Sequence, residues 1–177
     1  LSSSPFPPVA AAGETVFLSI GSNQGDARAN INEALGIISL ADGVDINAVS
    51  SLYLTEPEGM KSEQWFLNCA VEITTLLPPL ELLDVLEEVE RRLGRVGKGE
   101  NAPRTMDVDI LMFGGRVVSH PRLCLPHPRM ARRKFVLEPL LEIAPDAVHP
   151  ALGVTIRELN EKADGAAAIR QNAYPRW

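Results

Sequence analysis

The 177-residue chain is poor in cysteine, tryptophan and tyrosine, with two of each, and no apolar run approaches the ~20 residues of a membrane-spanning helix. Cys69 and Cys124 form no metal-binding spacing, which excludes a thiolate metal centre. Cys69 falls on the apolar side of an expected strand and reads as a reduced core residue of a cytoplasmic protein. The glycines of Gly21-x-x-x-Gly25 are not followed by Gly-Lys-Ser/Thr, so they make neither a P-loop nor a dinucleotide fingerprint and read as a turn. A net charge of −6 argues against general binding of nucleic acid or of an anionic membrane. Residues 1–14 contain no base and so do not resemble a secretory signal. With no Met at the start, they are expected to be a trimmed, mobile segment, and residues 15–177 a single domain with a full-sized core.

What the chain has is an uneven charge. Between Arg95 and Lys134 stand nine bases and only three acids, Glu100, Asp107 and Asp109. The two aspartates lie in a β-prone run, Arg104 to Phe113. Successive strand side chains point to opposite faces, so Thr105, Asp107, Asp109 and Leu111 share one face, and Met106, Val108, Ile110 and Met112 share an apolar core face. Carboxylates roughly 7 Å apart on one strand face repel unless a cation lies between them. Mg²⁺ suits one or two such oxygen donors, completed by water and substrate phosphate. On Asp-x-Asp alone, the plainer reading that both acids solvate an open face stands equally.

Around this run the spacing predicts a strand from Val16 to Ile20, a loop from Gly21 to Asp26, and a helix capped by Asp26 and ended by Gly43. A strand over Ile46–Leu54 and a polar connection over 55–64 follow. A third strand, Phe66–Thr75, puts Leu67, Cys69, Val71 and Ile73 on the core face and Phe66, Asn68 and Glu72 opposite. Pro79 opens a second helix with Leu80, Leu83, Leu86 and Val89 on its apolar stripe and Gly94 at its end, leaving Glu87 and Glu90 on a solvated face. The basic loop over 95–103 reads as a mobile lid. Gly114-Gly115 predicts a hairpin returning at Arg116–Ser119. A proline-braced segment carries His127, a helix begins near Ala131 with Pro139 bending or ending it, His149 falls in a surface turn, and a short helix spans Ile156–Lys162. The order is α+β, a ferredoxin-like βαββαβ sandwich with a C-terminal hairpin and helical additions, its two helices on one face and the other free for polar chemistry. Phe66, Asn68, Asp107 and Asp109 all fall on that second face.

Phe-Leu-Ser-Ile-Gly-Ser-Asn (17–23), Ser-Ser-Leu-Tyr-Leu-Thr-Glu-Pro (50–57), Phe-Leu-Asn (66–68), Pro-Arg-Thr-Met-Asp-Val-Asp-Ile-Leu (103–111) and Leu-Pro-His-Pro-Arg-Met (125–130) occur in order. Together they resemble the 6-hydroxymethyl-7,8-dihydropterin pyrophosphokinases of folate biosynthesis, over roughly residues 15–145. The resemblance implies transfer of a diphosphoryl group from ATP, the co-substrate, to the pterin hydroxymethyl. It implies two Mg²⁺ at Asp107 and Asp109, and Arg95 and Arg104 as catalytic arginines. It implies a nucleotide site drawn from Glu90, Lys98, Arg104, Ile110, Arg122, His127 and Arg133, and a pterin pocket of Thr55, Glu56, Glu58, Phe66, Asn68 and Phe135, the two phenylalanines sandwiching the ring. Other folate-pathway enzymes are the partners it suggests, with no nucleic acid and no membrane. Some members carry Trp before the Pro-Arg pair, where this chain has Asn101-Ala102, and Tyr after the motif His, where it has Pro128. The competing classes are a non-enzymatic ferredoxin-like module binding nucleotide or RNA, which needs paired aromatics on the open face, and a kinase moving a single phosphate.

Overall fold

The computed structural model describes residues 12–56, 65–94 and 106–164, and the backbone of 169–170. Strand β1 (Glu14–Ser22) runs two residues beyond its expected end: Gly21 and Ser22 stay in the sheet opposite Asn68 and Leu67 instead of opening the loop. Helix α1 (Ala27–Ser39) starts where Asp26 caps it, the carboxylate accepting the Ala29 N–H at 3.0 Å. The single strand expected over 46–54 is two, β2 (Val44–Val49) and β3 (Tyr53–Thr55). Buried Ser50 causes the break, because its hydroxyl takes the Ala70 N–H at 2.9 Å in place of a backbone carbonyl. Strand β4 (Phe66–Thr75) has its expected span. Helix α2 (Pro79–Arg92) opens on Pro79 and ends before Gly94, whose φ of +87° fits a residue without a side chain.

Strand β5 (Asp107–Phe113) is followed by the turn at Gly114, but the return does not pair with it. Arg116 bonds Glu14 at the start of β1 and lies 5.5 Å over the Phe113 ring, so the chain turns away from the edge of β5. Strand β6 (Val118–His120) pairs forward with β7 (Leu123–Leu125) as a separate hairpin. Helix α3 (Lys134–Ile143) passes through Pro139, which is buried and interrupts only one helical N–H. Helix α4 (Ile156–Lys162) and the short β8 (Ile169–Arg170) complete the described chain. His149 opens the expected turn at the surface, its carbonyl accepting the Leu152 N–H, but its side chain is buried; Nδ1 also accepts the Leu152 N–H and desolvation lowers its pKa.

The protein is a mixed α/β fold: among the described residues, an antiparallel sheet is ordered β5–β1–β4–β3–β8, with β2 also on β4, and four α-helices accompany it. Helices α1 and α2 cover one face, burying Leu18, Ile20, Val71, Ile73, Val108 and Ile110. Each such side chain contributes on the order of 1.5–3 kcal/mol by leaving water. The opposite face is not free along its whole length. Phe17, Ala70 and Met112 lie there under Val136, Leu137 and Leu140 of α3 and Ile156 and Leu159 of α4, a second core. Met112 was expected beside Val108 and Ile110. A bulge reverses it: Phe17 pairs with Met112 and Leu18 with Ile110, leaving Leu111 extra and both Leu111 and Met112 in the second core.

Candidate active site

The second core stops at Ala70. Beyond it, the same sheet face turns polar. Asn68 on β4 pairs with Gly21 on β1, and Gly21 with Asp107 on β5, so the three form a row across the sheet; the next row is Ala70, Ser19 and Asp109. Cross-strand partners share a face, which puts Asn68, Asp107 and Asp109 on one side as expected. On the outer flank Tyr53 is opposite Asn68 and Thr55 opposite Phe66.

Gly21 is a glycine for space. A Cβ there would overlap Asn68 Oδ1. The place of Gly21 after Ile20 and before a polar run reads as the start of a loop, and only the pairing with Asn68 shows it as a strand glycine at a close approach. Asn68 is 5% exposed, and its Nδ2 donates to Thr55 Oγ1 at 2.7 Å, fixing the amide plane. Phe66 is half-buried beside it, and Glu56 is exposed at the margin.

Arg133, the N-cap of α3, holds its guanidinium 5.4 Å from the ring centroid of Phe135, which packs against the second core. His127 is anchored by its N–H to Leu111 O at 2.8 Å. Desolvation, then Arg133 and Arg129, pull its pKa down to about 4 against the opposing charge of Asp107. The imidazole is therefore neutral near pH 7. Its Nδ1 accepts the Arg129 N–H at 3.2 Å, which assigns the ring proton to Nε2 as a donor.

On the other side of β5, Glu90 corrects its helical-pattern reading as solvated surface. It is 5% exposed, and its carboxylate accepts the Val108 N–H at 2.8 Å, between the two aspartates on an edge strand. Arg122, on the β6–β7 turn, donates to Asp84 at 2.6 Å and Glu87 at 3.1 Å of α2. The Ile110 side chain packs into the first core, away from the acids. Arg95, Lys98, Arg104 and Glu58 lie outside the described residues.

The sequence pattern makes Gly21 a turn residue, where the structure keeps it in β1, and it assigns no role to Tyr53 or Glu142. The Glu142 carboxylate of α3 accepts from Ser51 N–H, Ser51 Oγ at 2.9 Å and Tyr53 Oη at 2.8 Å, tying α3 to the β2–β3 break beside the polar row. No local pattern signals that contact, which joins residues about ninety positions apart.

Fold and face together define a mixed α/β protein with an amide and two acids aligned on an antiparallel sheet. A family model for 7,8-dihydro-6-hydroxymethylpterin-pyrophosphokinase (HPPK) matches residues 17–145. The chain is 43% identical over 154 residues to the 2-amino-4-hydroxy-6-hydroxymethyldihydropteridine pyrophosphokinase of Methylorubrum extorquens, covering 87% of this chain and 96% of that protein. It is 42% identical over 127 residues to the Bacillus subtilis protein of the same name, covering 72% and 76%. A Plasmodium falciparum HPPK-DHPS crystal structure with pteroate has the same fold, with a TM-score of 0.69 at 18% identity over 84% of this chain and 42% of that one. The chain belongs to the HPPK family.

Proposed function

We infer that the chain transfers the diphosphoryl group of ATP to 6-hydroxymethyl-7,8-dihydropterin, releasing AMP, as a step of folate biosynthesis. The observation that carries this reading is the row Asn68–Gly21–Asp107, with Asp109 one row on, in a chain of this family. Two strand spacings separate Asn68 from Asp107, roughly 10 Å, which suits a bicyclic ring and its hydroxymethyl arm. Asn68, Thr55, Glu56 and Glu58 meet the ring edge, and Phe66 and Phe135 its faces. Glu90, Lys98, Arg104, Ile110, Arg122, His127 and Arg133 serve the nucleotide, and Arg95 and Arg104 the transfer. The sheet follows the ferredoxin-like plan, with β2 and β3 sharing the place of one strand, and residues 15–177 act as one domain. The HPPK-DHPS composition of the Plasmodium chains supports other folate-pathway enzymes as partners, and the two free cysteines, Cys69 and Cys124, are in keeping with a reducing cytoplasm.

Two Mg²⁺ fit Asp107 and Asp109. The two acids stand in adjacent rows on one face of β5, and two carboxylates are the partial shell that Mg²⁺ completes with water and phosphate. Ser19, the β1 partner of Asp109, is small and only partly buried. When bound, the ions supply charge neutralisation and alignment of attacking and leaving oxygens. The chain's own residues hold the pterin hydroxyl in line with the β-phosphorus, while His127 Nε2–H and Arg133 donate to phosphate oxygens. Asp107 serves first as a metal ligand, which makes its carboxylate a weak acceptor for the hydroxyl proton. Chromatography of the products formed from ATP, Mg²⁺ and the pterin tests the reading. Equal amounts of AMP and pterin diphosphate are expected; ADP, or unconsumed ATP, would reassign the chain to a single-phosphate kinase or a binding module.

A further inference from the structure

The expected nucleotide role of Arg122 meets an obstacle in the fold. Its guanidinium is engaged by two carboxylates, Asp84 at 2.6 Å and Glu87 at 3.1 Å, which stand three apart on one face of α2. All three side chains are partly exposed, so the contacts are exchangeable. Its backbone N–H donates to His120 Nδ1 at 3.1 Å, which holds the β6–β7 turn that carries it. Further along α2, Glu90 reaches the backbone of β5 between the aspartates. The acids that hold Arg122 thus line the same helix that borders the acid row.

We infer that Asp84 and Glu87 set nucleotide affinity by competing with the nucleotide's oxygens for Arg122. This rests on the reading above that Arg122 serves the nucleotide. An arginine already paired to two carboxylates must exchange them for a phosphate or ribose oxygen, so the acids weaken nucleotide binding and speed its release. The neighbouring Glu88 supplies an internal control. It carries the same charge one residue on, but its carboxylate bonds Arg91 and Arg92, at 2.7 and 2.9 Å, not Arg122.

The test is the Kd of α,β-methylene-ATP with Mg²⁺, measured by calorimetry on the full chain at 0.15 M salt. Asp84→Asn and Glu87→Gln should each tighten binding by about two- to fivefold, the scale of one exposed ion pair, and Glu88→Gln should leave it unchanged. Equal tightening in all three would mean a general field effect and overturn the inference, as would unchanged or weaker binding in the first two. Arg122→Met reads the underlying assignment separately. Weaker binding supports it, and unchanged binding removes Arg122 from the nucleotide site whatever the acid variants do. All four substitutions are at exposed or half-exposed positions, and a thermal melt verifies that each variant is folded.

Discussion

The two faces of one sheet are built differently. On the face under α1 and α2, every inward residue of β1 from Val16 to Ile20 and of β4 from Cys69 to Ile73 is buried and apolar. On the opposite face the apolar cover ends partway, and the next row along the same strands holds Asn68, Gly21 and Asp107. The first face is uniform because it only has to exclude water. The second divides its length between a core that holds α3 in place and a polar end whose Asp107 acts, with Arg133, on His127. Stability and chemistry therefore share strands but not residues, and substitutions should separate them.

The largest effect expected is catalytic. Asp107→Ala or Asp109→Ala should lower AMP formation in a single turnover by at least about a thousandfold, since on the proposed reading each removes a carboxylate that holds Mg²⁺ against the reacting phosphates. The thermal midpoint should move by only a few degrees. A large loss of stability would mean that the acids also hold the fold together. The uniform face should give the converse. Leu18→Ala or Ile73→Ala should cost about 2–5 kcal/mol in denaturant unfolding while turnover per folded molecule stays near normal.

A smaller effect is expected at the amide. Asn68→Ala should raise the KM for the pterin by roughly ten- to a hundredfold, the value of a lost buried hydrogen-bonding group, with ATP affinity little changed. Gly21→Ala should act through Asn68, so that adding it to Asn68→Ala brings little further loss; additive losses in a double-mutant cycle would separate the two positions.

The smallest effect is in pH. His127 stays neutral in the folded protein down to about pH 4, whereas an unfolded histidine takes up its proton near 6.5. As pH falls through that window the unfolded chain binds a proton that the folded one does not, so stability falls from about 6.5 towards 4. His149, also lowered, adds in the same direction. His127→Gln should flatten that slope in urea unfolding; an unchanged slope would assign it elsewhere.

Much of this division was legible in residue order. Period-two alternation placed β1, β4 and the start of β5, and helical spacing with Asp26, Pro79 and Gly94 placed α1 and α2, because each depends on neighbours only. Alternation also brought Phe66, Asn68, Asp107 and Asp109 to one face. What escaped depends on contacts across the fold. The bulge at Leu111 is imposed by pairing with Phe17 and Leu18, and moved Met112 to the second core. The break before β3 follows from Ser50 taking an N–H of β4. Glu90 looked like helix surface until β5 presented it with the Val108 N–H. The cover by α3 and α4 was missed for the same reason: their apolar stripes say that they pack, not on which face.

The central claim is that Asp107 and Asp109 hold the reacting cations at the polar end of the second face. Mn²⁺ titration by electron paramagnetic resonance, with α,β-methylene-ATP and the pterin present, measures this most directly. Two Mn²⁺ are expected per wild-type chain, with protein-dependent binding lost in the Asp107→Ala, Asp109→Ala double variant. Two Mn²⁺ bound equally well by that folded double variant would contradict it.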